Sequence, residues 1–381
     1  MIGRIISKEI RSSKKSILLL GPRQVGKSTL VDSCRPDLHI NLADEFEFFK
    51  YSTQPGAFRS LIAKSPVRTI SVDEIQRIPG LLNTIQAILD ENKSLKFFIT
   101  GSSARKLKRG GANLLPGRVI AHRLGPFVAA EFDYQMNTKR ALEEGTLPEA
   151  YLLDREQEIR ALLRSYAAIY LKEEIKAEAL VRNLDAFGRF FSCISMNVAG
   201  FVDYTKLAHR AKVSRHSIPN YFEILEDTLI GERLVALPDF HRLDLIRHPK
   251  FYLFDNGVFN ALMGNFTASP DRIGTLAEQL IYSQIRHSSW SRSKDAKIHT
   301  FRERSGVEVD FVVEIDGTLN AIEVKASDRI EPADIEGLEF FDRQVRHPSK
   351  RLLLLHLGEK EHKFKKAWAL PWQKGLREMG L

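Results

Sequence analysis

Short, continuous apolar runs alternate with amphipathic stretches over roughly the first 130 residues. The runs Ile17 to Leu20, Leu38 to Leu42, Thr69 to Val72, Phe97 to Thr100 and Arg118 to Leu124 predict strands. A run such as Ile17-Leu18-Leu19-Leu20 has no polar face to turn to water, so these strands predict a parallel sheet with helices on both faces. From Arg155 to about Ala199 the period changes: Ile159, Leu162, Leu163, Tyr166, Ile169 and Tyr170 recur at helical spacing and predict a helical lid or connector. Tyr204 to Leu225 reads as two short helices separated by Lys212-Val213-Ser214, with Ser214 placed to cap the second. Beyond Pro249 strands return with one amphipathic helix, Leu276 to Ile285, and the run Lys360 to Lys366 reads as a solvated, charged tail.

Between the first predicted strand and the helix after it lie Gly21-Pro22-Arg23-Gln24-Val25-Gly26-Lys27-Ser28, which fill the phosphate-loop template G-x-x-x-x-G-K-[ST], with Thr29 next to them in the binding set. Gly21 and Gly26 let backbone N–H groups of the loop that runs through Pro22, among them those of Gln24 and Val25, approach phosphate oxygens closely. Lys27 can neutralise the β- and γ-phosphates of ATP, and the Ser28 hydroxyl can ligate Mg²⁺. Ile70-Ser71-Val72-Asp73-Glu74 ends an apolar strand in two carboxylates, a Walker B pattern. Asp73 would complete the Mg²⁺ shell and Glu74 would polarise the attacking water. At the end of the next strand, Ser102 or Ser103 either contacts the γ-phosphate or the lytic water, or forms a serine-rich turn that caps a helix.

A second constellation lies near the other end. Val307 to Val313 and Ala321 to Lys325 alternate as two strands about a turn at Asp316-Gly317. Period-two geometry puts Glu323 and Lys325 on one face, and Asp310, with twelve residues between it and Glu323, can sit beside them. This is the D-x12-E-x-K arrangement of the PD-(D/E)xK nuclease fold, for which Glu278 supplies the additional acid. Convergent carboxylates repel and a divalent cation relieves the repulsion, so Glu278, Asp310 and Glu323 form a candidate Mg²⁺ set with Lys325 orienting the nucleophile. The alternative is a half-exposed hairpin whose outer face carries ordinary charges.

Composition adds a few bounds. The chain of 381 residues has room for two or three domains, and its net charge of +9 favours a polyanionic partner such as DNA. Lys206, Arg210, Lys212, Arg215 and His216 could place the helix pair on DNA phosphates, although such pairs also serve as protein-contact modules. Two cysteines, Cys34 and Cys193, are too few for a disulfide framework, and no apolar run approaches the ~20 residues that cross a bilayer. With no long apolar leader either, a cytoplasmic protein without a membrane partner is expected.

The G-P-R-Q-V-G-K-S-T-L loop, S-V-D-E-I-Q-R-I-P, I-T-G-S-S and the L-P-G-R-V segment at 115–119 together resemble AAA-type ATPases joined to a C-terminal DUF4143 domain. The resemblance continues through L-P-E-A at 147–150, L-E-D-T-L at 225–229 and the region from Lys250 to Ser327. It implies that Arg118 acts as an arginine finger or nucleotide sensor, and that the chain forms a homo-oligomer, for which a hexameric ring is one form. One departure is Lys172-Glu173-Glu174-Ile175, where the family often has an E-R-D-I-like segment. The expected architecture is α/β: a P-loop NTPase core at 1–135, a helical lid at 136–195, a winged-helix-like segment at 196–248 and a PD-(D/E)xK nuclease-like domain with a basic tail at 249–381. The expected function is an ATP-hydrolysing enzyme acting on DNA with a nuclease-like domain. Its alternatives are a remodelling or branch-migration motor whose C-terminal acids do not cut, and a nucleotide-controlled protein-interaction switch.

Overall fold

The computed structural model describes residues 2–102, 117–170, 184–238 and 245–381, with the backbone alone at 169 and 170. Ser103, Leu115-Pro116 and Lys172 to Ile175 lie outside the described residues. The chain is α/β and forms two compact units, residues 1–125 with 227–229, and residues 126–226 with 230–381.

In the first unit, β1 (Ser16–Leu20), β2 (Leu38–Asn41), β3 (Thr69–Asp73), β4 (Lys96–Gly101) and β5 (Val119–Arg123) form one parallel sheet in the order β2-β3-β4-β1-β5. All five β1 residues are buried, as the unbroken apolar run Ile17–Leu20 requires, and Ser16 spends its hydroxyl on Phe97 N. One side of the core is supplied by Tyr51, Phe58 and Ile62 and by Leu82, Ile85 and Leu89, from three helices within Glu45–Glu91. Most important for the site, β4 lies between β1 and β3. Leu20 is level with Gly101 and Val72 with Ile99, so Gly21, Asp73 and Thr100 emerge together at the carboxyl edge.

The second unit contains helices Glu156–Ser165, Leu184–Ser195, Tyr204–Ala211 and Ser217–Asp227, then the antiparallel pair β6 (Gly231–Leu234) and β7 (Lys250–Leu253). The predicted helical face of 159–170 begins as expected, with Ile159, Leu163 and Tyr166 buried, and the backbone widens to a π-helical turn at Tyr166–Tyr170. Asp203 caps the helix Tyr204–Ala211 by accepting from the N–H groups of Thr205 and Lys206, and Lys212 ends it in the left-handed region. Ser214 accepts from His216 N at 3.2 Å, closing the turn ahead of the helix that starts at Ser217.

A mixed sheet follows, in the order β12-β13-β11-β10-β9-β8, from β8 (Lys297–Arg302), β9 (Glu308–Ile315), β10 (Thr318–Lys325), β11 (Lys350–His356), β12 (His362–Lys363) and β13 (Trp368–Pro371). The predicted hairpin is present. Asp316 (φ 49°) and Gly317 (φ 73°) make the two-residue turn, both left-handed, which suits the twist of β9 and β10. The expected helix at 276–285 is longer, Ile273–Ser291, and mostly buried. The segment 360–366 is not a tail: His362 and Lys363 pair with β13, and the residues beyond fold back to bury Trp372, Leu376 and Leu381. Its lysines mislead because they are exposed on an edge hairpin, where charge is the usual guard against further pairing.

Candidate functional site

The phosphate loop closes through left-handed backbone at Gln24 (φ 61°) and Gly26 (φ 87°), while Val25 is fully buried and anchors it. Lys27 opens the following helix; its side chain is buried and its Nζ donates to the carbonyls of Gly21 (2.9 Å) and Pro22 (2.8 Å). Ser28 and Thr29 are exposed. Ser28 Oγ donates to Asp73 Oδ2 at 2.7 Å although the two are 45 residues apart, the pair expected of a phosphate loop and its metal-side carboxylate. The donor set fits Mg²⁺, since a hydroxyl and a carboxylate are hard oxygen ligands held together at the loop.

Three neighbours refine this picture. Thr100 Oγ1 donates to the other Asp73 oxygen, Oδ1. Glu74 sits in the left-handed region (φ 58°), and its carboxylate accepts from Gln76 Nε2. Gln76 Nε2 also donates to Ser102 Oγ (2.9 Å), and its Oε1 accepts from Ser102 N (3.2 Å). Ser102 is therefore buried against Gln76, and Thr100 is the β4 hydroxyl that reaches Asp73. Thr100 and Gln76 escaped the sequence reading, although Gln76 stands two residues after Glu74 and Thr100 two before Ser102. Arg118 is not brought to this site. It precedes β5, whose first residue is level with Ser16, at the sheet end opposite the phosphate loop, and it pairs with Asp90 at 2.5 Å and 3.0 Å. A sensor role within the same copy is thereby corrected.

The C-terminal acids do converge. Continuing the β9–β10 register past Ile322 and Phe311 puts Glu323 opposite Asp310. Asp310 Oδ2 accepts from Val324 N at 2.9 Å, and Glu278 reaches in from the buried helix. They converge on a lysine. Lys250, the first residue of β7 and 5% exposed in its side chain, places Nζ 2.8 Å from Glu278, 2.6 Å from Glu308 and 3.4 Å from Asp310. Tyr252 donates to the same Glu278 oxygen at 2.5 Å, and Lys325 lies 3.3 Å from Glu323 and 3.6 Å from Asp334. Lys250, Glu278, Glu308, Asp310 and Glu323 line a pocket of about 480 Å³ together with Ala199, Gly200, Phe201 and Arg302.

Burial, then the charge of Asp310, raises Glu278 to about 7 and Glu323 to about 9. Asp310 is also raised by burial, against the pull of Lys250. Burial works against the Lys250 charge, but Glu278, Asp310 and Glu308 outweigh it and hold Lys250 above the ordinary lysine value. The residues therefore do not fit the expected Mg²⁺ set. Glu278 and Asp310 of that set, with Glu308, are already paired with the Lys250 ammonium, Glu323 is paired with Lys325, and among the described residues no group of three or more His, Cys, Asp or Glu side chains is arranged to hold a metal. The signal in the sequence was a lysine opening the apolar strand Lys250-Phe251-Tyr252-Leu253.

A phosphate loop, its carboxylate partner and a parallel sheet with an intervening strand define a P-loop NTPase core. Residues 13–133 match the model of the AAA domain, residues 136–269 a domain of unknown function (DUF8612) and residues 273–374 a domain of unknown function (DUF4143). The chain thus carries an AAA domain of the P-loop ATPase type and a C-terminal DUF4143 domain. It is similar to "Uncharacterized protein Rv2008c" of Mycobacterium tuberculosis, with 22% identity over 320 residues covering 81% of this chain and 70% of the relative. It is also similar to an "Uncharacterized protein" of Haemophilus influenzae, with 23% identity over 329 residues and 80% coverage of each. Among solved structures it is similar to "Replication initiator DnaA bound to AMPPCP and single-stranded DNA", at 11% identity and a TM-score of 0.29, over 58% of this chain and 86% of that one. No helix among the described residues is long and apolar enough to cross a membrane.

Proposed function

We propose that this protein binds and hydrolyses ATP with Mg²⁺ at the phosphate loop and uses the cycle to remodel DNA through its C-terminal half, without cutting it. The observation that carries the ATPase reading is the Ser28–Asp73 hydrogen bond beside Lys27. Backbone N–H groups of the loop would receive the phosphates. Lys27 would leave the Gly21 and Pro22 carbonyls for the β- and γ-phosphates, Ser28 and Asp73 would hold Mg²⁺, and Glu74, braced by Gln76, would orient the attacking water. When bound, the ion supplies charge stabilisation to the phosphoryl group in transfer.

For DNA, the support is the net charge of +9 and the exposed Lys206, His209, Arg210, Lys212, Arg215 and His216 on the helix pair that precedes the β6–β7 ladder, a winged-helix-like order. For a C-terminal domain that does not cut, the support is Lys250 among its acids. An arginine finger supplied by a neighbouring copy, with Arg118 the candidate, would make the working form a homo-oligomer.

ATP turnover measured with duplex, single-stranded and branched DNA, with cleavage scored in the same tubes, tests all three parts. Mg²⁺-dependent turnover abolished by Lys27→Ala, stimulated by DNA and free of cleavage is expected. Normal turnover by Lys27→Ala would sink the ATPase reading. Indifference to every DNA would favour the nucleotide-controlled protein-interaction switch.

A further inference from the structure

We propose that Lys250 is the resident cation of the C-terminal acid cluster: its ammonium closes the cluster to divalent metal, and removing that ammonium converts the cluster into a metal site. An ammonium has three donors, and three carboxylates lie within 3.4 Å of this one, so its donors are used on Glu278, Glu308 and Asp310. The lysine is placed by backbone and not by a flexible surface stem. It is level with Leu234 on β6, forms a bridge with Phe201, and the Phe201 ring lies 5.2 Å from Nζ.

A Mg²⁺ or Mn²⁺ ion would need the same oxygens, at metal–oxygen distances of roughly 2.0–2.2 Å, which leaves no room for Nζ between them. A double charge placed beside a retained ammonium is also opposed by their mutual repulsion, which the nearly buried Lys250 side chain cannot move away to relieve. Without Nζ the balance reverses. Glu278, Asp310 and Glu323 then face one another with Lys325 at the edge and Glu308 close by, the arrangement that a divalent ion relieves. A fixed ammonium cannot take the open coordination position that generates hydroxide from water, so the cluster as built lacks the means of metal-assisted hydrolysis. The inference is independent of ATP turnover.

The test is Mn²⁺ titration followed by electron paramagnetic resonance, without nucleotide, on the full chain carrying Ser28→Ala to remove the phosphate-loop ligand. This parent should take up no stoichiometric Mn²⁺. Adding Lys250→Met should give one Mn²⁺ per chain and a melting temperature that rises with Mn²⁺, and further addition of Asp310→Asn should abolish both. A parent that binds one Mn²⁺ and loses it on Asp310→Asn overturns the proposal, as does a folded Lys250→Met chain that binds none. Should Lys250→Met not fold, the shorter, uncharged and polar Lys250→Gln tests the same gain, while the parent arm decides the closure by itself.

Discussion

Glu323→Gln should remove a pH dependence that the wild-type fold carries into the alkaline range. In the unfolded chain a glutamate is ionised above about pH 5, whereas in the fold Glu323 keeps its proton to about 9. Between pH 7.5 and 9 the native state therefore binds more protons than the unfolded state, and stability falls as pH rises. One retained proton is worth about 1.4 kcal/mol per pH unit, and since half of it is lost at the upper end, the wild type should lose about 1.5 kcal/mol across this window. Glu278, raised to about 7, has largely ionised by 7.5. His122, His299 and His356 are lowered by burial, and the stability lost when they protonate is fully regained above the unfolded value of about 6.5. Lys250 and Lys325 are raised, so their contribution is complete below the unfolded lysine value of about 10.4. Trp290, Trp368 and Trp372, the only three tryptophans, all lie in the second unit, so urea unfolding followed by tryptophan fluorescence reports on it directly. The variant's urea midpoint should fall clearly less than that of the wild type between pH 7.5 and 9. An equal fall in both proteins, or a wild type that gains stability over this range, would refute the reasoning.

Two further outcomes follow from the nucleotide site. Gln76→Leu strips the buried Ser102 N–H of its partner and leaves Glu74 without its brace, so stability should drop by roughly 1–3 kcal/mol and kcat for ATP by about tenfold with KM little changed; unchanged kcat in a folded variant would remove Gln76 from the site. Gly21→Ala would set a Cβ 2.2 Å from the Leu124 carbonyl oxygen, a backbone atom with no rotamer to yield, and should cost roughly 1–3 kcal/mol in circular-dichroism melting.

Some of this molecule is written locally. An apolar run of four, a glycine loop and a lysine stand next to one another in the chain, so β1, the phosphate loop and Lys27 could be read without knowing any neighbour. The same holds for Asp73 at the end of β3 and for the β9–β10 hairpin, where the two-residue side-chain period and an Asp-Gly turn determine the register and hence put Glu323 opposite Asp310. Strand positions matched closely for this reason, down to Val119–Arg123 within the predicted 118–124.

What the tertiary structure decided is the company each group keeps. Ser102 was one of two serines the sequence offered for the phosphates or for a capping turn; packing turned it toward Gln76, 26 residues away, and gave Thr100 the contact with Asp73. Arg118 is motif-like in sequence, yet a parallel strand carries its first residue to the opposite end of the sheet from a loop that follows its neighbour. Above all, the acid cluster was legible as three carboxylates and one lysine, while the charge at its centre comes from Lys250, 60 residues before Asp310. Local pattern determines which face a side chain takes. The electrostatics of a buried site are a sum over groups brought together by folding, and here one ammonium, invisible to any spacing rule, turns a metal-binding pattern into an ion-paired core.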